Sequence, residues 1–372
     1  MIYLDAAATT FQKPPSVSRD VQTAMRTMSS PGRGGYAAAR EAEETAFRCR
    51  TLAAELFGVP SPEQVVFTSN ATHALNNAIR SLVPEGGRVV ISGYEHNAVT
   101  RPLHALGARV RIAASPLFDR AAALRAFENA LSPETDAVVC THVSNVFGFV
   151  LPIDGIAALC RAEGVPLIVD ASQSAGVLPL DMSVLGAAFI AMPGHKGLYG
   201  PQGTGLLLCA HETQPLLYGG TGSASLEQEM PDFLPDRLEA GTHNMPGIAG
   251  LEAGLRFVRR MGGRIARHES ELTARAAERL RTVDGVTVYA SRDASAQTGV
   301  LSFRIDAQGS EETADALARR GIAVRGGLHC APRAHQTAGT LPDGTVRMSV
   351  SAFNAPAEID AFVRAVRSAA RG

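Results

Sequence analysis

The sequence predicts an α/β protein, with a large domain built on a mainly parallel sheet and a smaller α+β domain towards its C-terminal end. Three observations carry that expectation. Short apolar runs alternate with helical patterns from residue 65 to about 209, the rhythm of parallel strands joined by crossover helices. A different rhythm of strands and helices begins at residue 286. The 372 residues, 45% hydrophobic and 19% charged, suffice for two cores.

Composition removes several classes of function. A net charge of −1 and the absence of a basic patch interleaved with aromatics give no reason to expect nucleic acid as a partner. No apolar run is long enough to span a bilayer, and the opening Met1-Ile2-Tyr3-Leu4-Asp5 does not resemble a signal peptide. The five cysteines are scattered, with no Cys-x-x-Cys. We expect no metal site, no disulfide framework and a cytoplasmic location.

Taken in order, Tyr3 to Thr10 is a short extended start followed by small residues that would let backbone approach a ligand or another subunit. Pro14 and Pro15 open a helix over 16–28. An alanine- and glutamate-rich helix covers 37–57 and ends at Gly58. Strands are expected at 65–68, 88–92, 110–114, 137–142, 166–170, 187–191 and 204–209, with helices after Ser69, at 121–131 and at 152–163. Residues 215–244 form a long irregular stretch, which argues for a functional segment. Helices follow at 248–261 and 265–281. The second domain supplies strands at 286–289, 300–305, 322–325 and 346–350, and helices at 310–320 and 356–370.

Candidate chemistry collects where strands end. Met192 to Gly203 holds four glycines and two prolines around Lys196, a loop that is neither helix nor regular strand. A lysine held this way, with His195 beside it, suits a Schiff base with a carbonyl cofactor; the alternative is a surface turn with a solvated amine. Asp170 closes a strongly apolar strand and needs a cation, either a protonated pyridine nitrogen or a nearby Lys or Arg. Ser69-Asn70-Ala71-Thr72 between strand and helix makes an anion site or a plain helix cap. His96 and Asn145 also follow strands. Cys330 sits in a glycine-flanked loop between two arginine-bearing strands, which points to a nucleophilic thiol rather than a packing one. The alternative is a loop thiol without a role.

Together these pieces resemble the class V aminotransferase fold. The residues that carry the likeness are Gly194-His195-Lys196, Asp170-Ala171-Ser172-Gln173, Thr68 to Thr72, Glu95-His96, His329-Cys330-Ala331 and Arg347 to Asn354. The cysteine loop and Arg347 narrow it to cysteine desulfurases and selenocysteine lyases, and the short loop resembles the second group of these. The resemblance implies a fold type I transferase dependent on pyridoxal 5'-phosphate, with a seven-stranded type of sheet. It implies a cofactor-binding domain at 14–250 and a small domain, residues 1–13 and 251–372, that bears the cysteine.

By the same resemblance, Lys196 anchors the cofactor and acts as base. Asp170 meets the pyridine nitrogen, Gln173 the ring hydroxyl, and His96 stacks on the ring and shuttles protons. Ala71, Thr72 and His195 hold the phosphate, with Gly220 or Thr221 added by the second subunit of a homodimer. Asn145, counted also among the cofactor residues, and Arg347 bind the substrate carboxylate, with Arg325 nearby. Cys330 takes sulfur from L-cysteine and passes it to an acceptor protein. L-Selenocysteine as substrate, another class V activity and a degenerate non-catalytic relative are the competing readings. Three positions depart from the family pattern: Pro193 for a hydroxyl residue, His73 for a glutamate, and Arg333 for an apolar residue.

Overall fold

The βα alternation resolves into one large sheet. The structure, a computed structural model, describes residues 1–32, 34–306 and 308–371; Arg33, in the expected loop at 30–36, lies outside them. After strand β1 (Ile2–Tyr3) come helices α1 (Pro15–Thr27) and α2 (Ala37–Phe57). The sheet region runs β2 (Val65–Thr68), α3 (Ala71–Leu82), β3 (Arg88–Ser92), α4 (Asn97–Ala105), β4 (Arg109–Ala113), α5 (Arg120–Ala130), β5 (Ala137–Thr141) and α6 (Ile153–Glu163). It continues through β6 (Leu167–Asp170), α7 (Met182–Leu185), β7 (Phe189–Pro193) and β8 (Gly205–Cys209). Then follow α8 (Met245–Met261), α9 (Arg264–Leu280), β9 (Val286–Tyr289), β10 (Val300–Ile305) and α10 (Ser310–Ala318). The chain closes with β11 (Ile322–Ala323), α11 (Pro332–Ala338), β12 (Val346–Ser349) and α12 (Pro356–Ala369).

The large sheet has the order β2-β8-β7-β6-β5-β3-β4, and only β8 runs against its neighbours. Its central strands β5, β6 and β7 are apolar up to their carboxyl ends because both faces are covered. One face packs with residues such as Phe127, Val138 and Ile190, the other with Ile79, Val139 and Phe189. Chain order reverses between β3 and β5, and ligands of open α/β sheets bind at the carboxyl ends beside such a reversal.

The second sheet, β12-β10-β9, is antiparallel and has its own core, including Leu272, Phe303 and Phe362. The start of the chain packs with this part: β1 pairs in parallel with β11 as a separate two-stranded sheet, and Asp5 bridges Ser349, the last residue of β12. The expected strand at 322–325 stops at Ala323; Arg325 instead forms an isolated bridge with Arg347. Helices α4, α7 and α11 were not expected. Pro102 inside α4 masks its pattern, whereas Pro332 at the start of α11 and Gly339 past its end are ordinary start and stop signals. Residues 215–244 are irregular apart from a 3-10 turn at Asp236–Leu238.

Candidate active site

Four strand ends deliver the central groups. His96 follows β3, Asn145 follows β5, Asp170 ends β6, and Lys196 follows β7. The register places Asp170 level with Thr141 on β5 and Ala191 on β7, so these ends converge beside the β3/β5 reversal.

The lysine loop is built on close backbone approach. A Cβ on Gly197 would lie 2.4 Å from the Ala175 carbonyl oxygen, and one on Gly176 would lie 2.2 Å from that of Gly197. Only glycine permits this contact. Tyr199 donates its N–H to the Lys196 carbonyl at 2.9 Å and takes a left-handed φ of 56°. Its hydroxyl, which accepts from the Ala352 N–H at 2.9 Å, and its ring, against Phe257 and Phe353, anchor that conformation. From the other side, Thr10 donates its N–H and its hydroxyl to the His195 carbonyl, and Lys13 donates to the same oxygen at 2.9 Å. Lys13 carries no sequence signal beyond its place in a Pro-flanked turn, and its role emerges only from the structure.

The charges then adjust to one another. Lys196 keeps partial exposure, but burial draws its amine down to about 8; Asp170 opposes that and Arg347 and Arg325 add to it. Burial also lowers His96, against Asp170 and with Lys196 and Arg347. His96 Nδ1 accepts the Ala98 N–H at 3.0 Å, capping α4, so the neutral ring carries its proton on Nε2. His195 is pulled down to about 4 by burial, then by Lys196 and Lys13. Asp170 is 2% exposed, accepts the Ser172 N–H at 2.9 Å, and makes no ion pair among the described residues. Gln173 donates to the Ala7 carbonyl at 3.0 Å, which orients its amide.

The two arginines meet at a residue that the sequence did not single out. Asp5 accepts from Arg347 at 2.8 Å and from Arg325 at 3.1 Å. Arg347 also donates to the Asn145 carbonyl at 2.9 Å, and its Nε is buried without a partner among the described residues. The Asn145 amide donates to the His329 carbonyl at 2.9 Å, holding the cysteine loop. Cys330 is exposed, with φ 54°, while Cys49, Cys140, Cys160 and Cys209 are buried. Its carbonyl accepts the Asn97 N–H at 2.8 Å. The thiol-bearing residue is thus fastened directly beside His96.

The proposed phosphate groups also converge. Pro193 is in register with Gly205, and a Cβ on Gly205 would meet Asn70 at 2.9 Å. That packing sets the first turn of α3, with Ala71 and Thr72, next to the lysine loop. Asn70 caps the helix by accepting the His73 N–H at 2.9 Å. His73 lies near Ser69, its pKa lowered by burial. Arg333 donates to Gln336 at 2.7 Å on α11. Thr221 and Gly220 are elsewhere, lining a cavity of about 840 Å³ against Phe47 and Arg50 of α2.

This donor set fits pyridoxal phosphate. An uncompensated buried carboxylate suits a pyridinium N–H. The Nδ1 of His195, buried without a partner among the described residues, and the N-terminus of α3 suit the phosphate. A lysine with a lowered pKa suits the carbonyl.

Comparison with known proteins bears on the same reading. The family model described as aminotransferase class-V matches residues 2–362. A probable cysteine desulfurase of Methanothermobacter thermautotrophicus is 33% identical, over 96% of this chain and 92% of its own length. One from Mycolicibacterium paratuberculosis is 34% identical over all of this chain, which spans only 56% of that relative. Among solved structures, the apo cysteine desulfurase of Thermococcus onnurineus superposes with a TM-score of 0.89 at 29% identity, covering 100% of this chain and 95% of that one. A cysteine desulfurase of Escherichia coli gives 0.87 at 26% identity, covering 99% and 94%. The chain belongs to the aminotransferase class-V family, among its cysteine desulfurases.

Proposed function

We propose that the protein converts L-cysteine to L-alanine and holds the released sulfur as a persulfide on Cys330. The observation that carries this is the hydrogen bond from Asn97 to the Cys330 carbonyl, which sets an exposed cysteine beside His96, itself within electrostatic reach of Lys196 and Asp170. Arg347 binds the substrate carboxylate with its unpaired Nε, and Asn145 fixes both that arginine and the cysteine loop. Bound pyridoxal phosphate supplies the electron sink for Cα deprotonation. Lys196, with its lowered pKa, takes the Cα proton, and His96 exchanges a proton at Nε2. Ala71, Thr72 and His195 hold the phosphate, Asp170 the ring nitrogen and Gln173 the ring hydroxyl. The Cys330 thiolate forms an S–S bond to the substrate sulfur as the Cβ–S bond breaks. The electron pair stays with the carbon skeleton, which takes up protons and leaves as alanine. A thiol of an acceptor protein then removes the outer sulfur and restores Cys330.

The reading extends to two lobes, 14–250 and 1–13 with 251–372, with the site between them. It also extends to a homodimer in which Thr221 reaches the partner's phosphate. Alanine and sulfide are to be quantified with cysteine and with selenocysteine, for the wild type and Cys330→Ala. We expect equal alanine and sulfide from wild-type enzyme under a reducing thiol, and loss of most cysteine turnover in the variant. Undiminished sulfide release by Cys330→Ala removes the cysteine from the reaction. Turnover of selenocysteine alone assigns the protein to selenium.

A further inference from the structure

Asp5 lies between two like charges that the fold forces together. Arg325 and Arg347 face each other across a backbone bridge, with Arg325 donating its N–H to the Arg347 carbonyl at 3.1 Å and Arg347 returning one at 2.8 Å. Side-by-side cations on paired backbones repel. Arg347 is 2% exposed, so solvent does little to relieve that repulsion. Asp5 places one carboxylate oxygen on Arg347 at 2.8 Å and the other on Arg325 at 3.1 Å. Its own position is fixed by the backbone bridge to Ser349 and by the Tyr3 hydroxyl, which donates to the Asp5 carbonyl at 3.1 Å. Two guanidiniums and one carboxylate leave a single positive charge, and one buried donor, Arg347 Nε, has no partner among the described residues.

We propose that Asp5 is a positioning residue that fixes the orientation and net charge of the arginine pair, so that the site accepts a substrate with a single carboxylate. The inference rests on the reading of Arg347 as the substrate clamp. Asp5 touches neither substrate nor cofactor; it acts through Arg347. Without its charge, Arg347 loses the anchor at Nη2, is repelled by Arg325, and no longer presents Nε in a fixed direction. Preorganisation of a charged donor is then lost from substrate binding and not from the later chemistry.

The test is Asp5→Asn in the cofactor-loaded enzyme, with cysteine turnover and the visible absorbance of the bound cofactor as readouts. We expect KM for cysteine to rise about 10-fold or more, as for loss of a charge-assisted hydrogen bond. We expect kcat to change little and the absorbance spectrum to be retained. Tyr3→Phe removes one of the contacts that hold Asp5 without altering charge, and should raise KM clearly less than Asp5→Asn does. An unchanged or lowered KM in Asp5→Asn, or an equal rise in Tyr3→Phe, overturns the proposal. If Asp5→Asn does not fold, Asp5→Glu keeps the charge but shifts both contacts; raised KM with retained kcat supports the proposal and unchanged KM sinks it. A wild type that does not turn over cysteine, or Arg347→Lys with normal KM, overturns the clamp reading instead.

Discussion

At the scale of single residues, burial lowers three bases of the candidate site, Lys196, His96 and His195. Lys196 is the clearest case, because an amine near pH 8 is partly free at neutral pH, whereas an ordinary lysine, at ~10.4, is almost wholly protonated. In cofactor-free protein, labelling of Lys196 by a small electrophile should rise up to about pH 8 to 9 and then level off. Peptide mass spectrometry reads this directly, and continued increase beyond about pH 10 contradicts it. Lys196, Asp170 and His96 stand out as candidates in the sequence because each is a reactive residue at or just after the end of an apolar run. Asp5 does not, because its partners lie 320 and 342 positions away and nothing local marks the pairing. Asn145 was singled out as a substrate ligand, and its amide also clasps the cysteine loop.

Elements were legible where one local signal governed them. The end of α2 at Gly58, with φ 63°, followed from glycine's freedom in the left-handed region. The irregular segment at 215–244 showed as a loop, but its anchor did not. Glu239 there accepts from Arg50 at 2.7 Å, from the Phe67 N–H at 2.6 Å on the edge strand β2, and contacts His243. Burial alone would raise this carboxyl; Arg50 and His243 outweigh it and hold it below its usual value. Glu239→Ala leaves Arg50 buried and unpaired, at a cost of about 3–5 kcal/mol. Melting should report that loss, and limited proteolysis should cut first within 215–244. A variant as stable and as resistant as wild type would show that the segment is held by other contacts.

Over the whole molecule, two buried carboxyls set a pH dependence of stability. Burial raises Glu95 and Glu269 to about 8, against hydrogen bonds from Ser92 and Tyr199 respectively. Since the folded state holds these protons more tightly than the unfolded chain, their contribution is complete below about pH 4.5 and is lost as pH rises through about 8. Glu269→Gln keeps a neutral polar group in place and should remove its share of the loss. Its melting temperature relative to wild type should therefore be higher at about pH 9 than at about pH 6. An identical difference at both values means that Glu269 is ionised in the native protein.

The ion pair between Asp5 and Arg347 joins residues 342 positions apart. On a ribosome, the aspartate emerges early and waits for almost the whole chain before its arginine arrives. The substrate clamp can therefore assemble only as a late event of biogenesis. A nascent chain stalled short of β12 should carry a formed parallel sheet with its coenzyme and still fail to bind the amino-acid substrate.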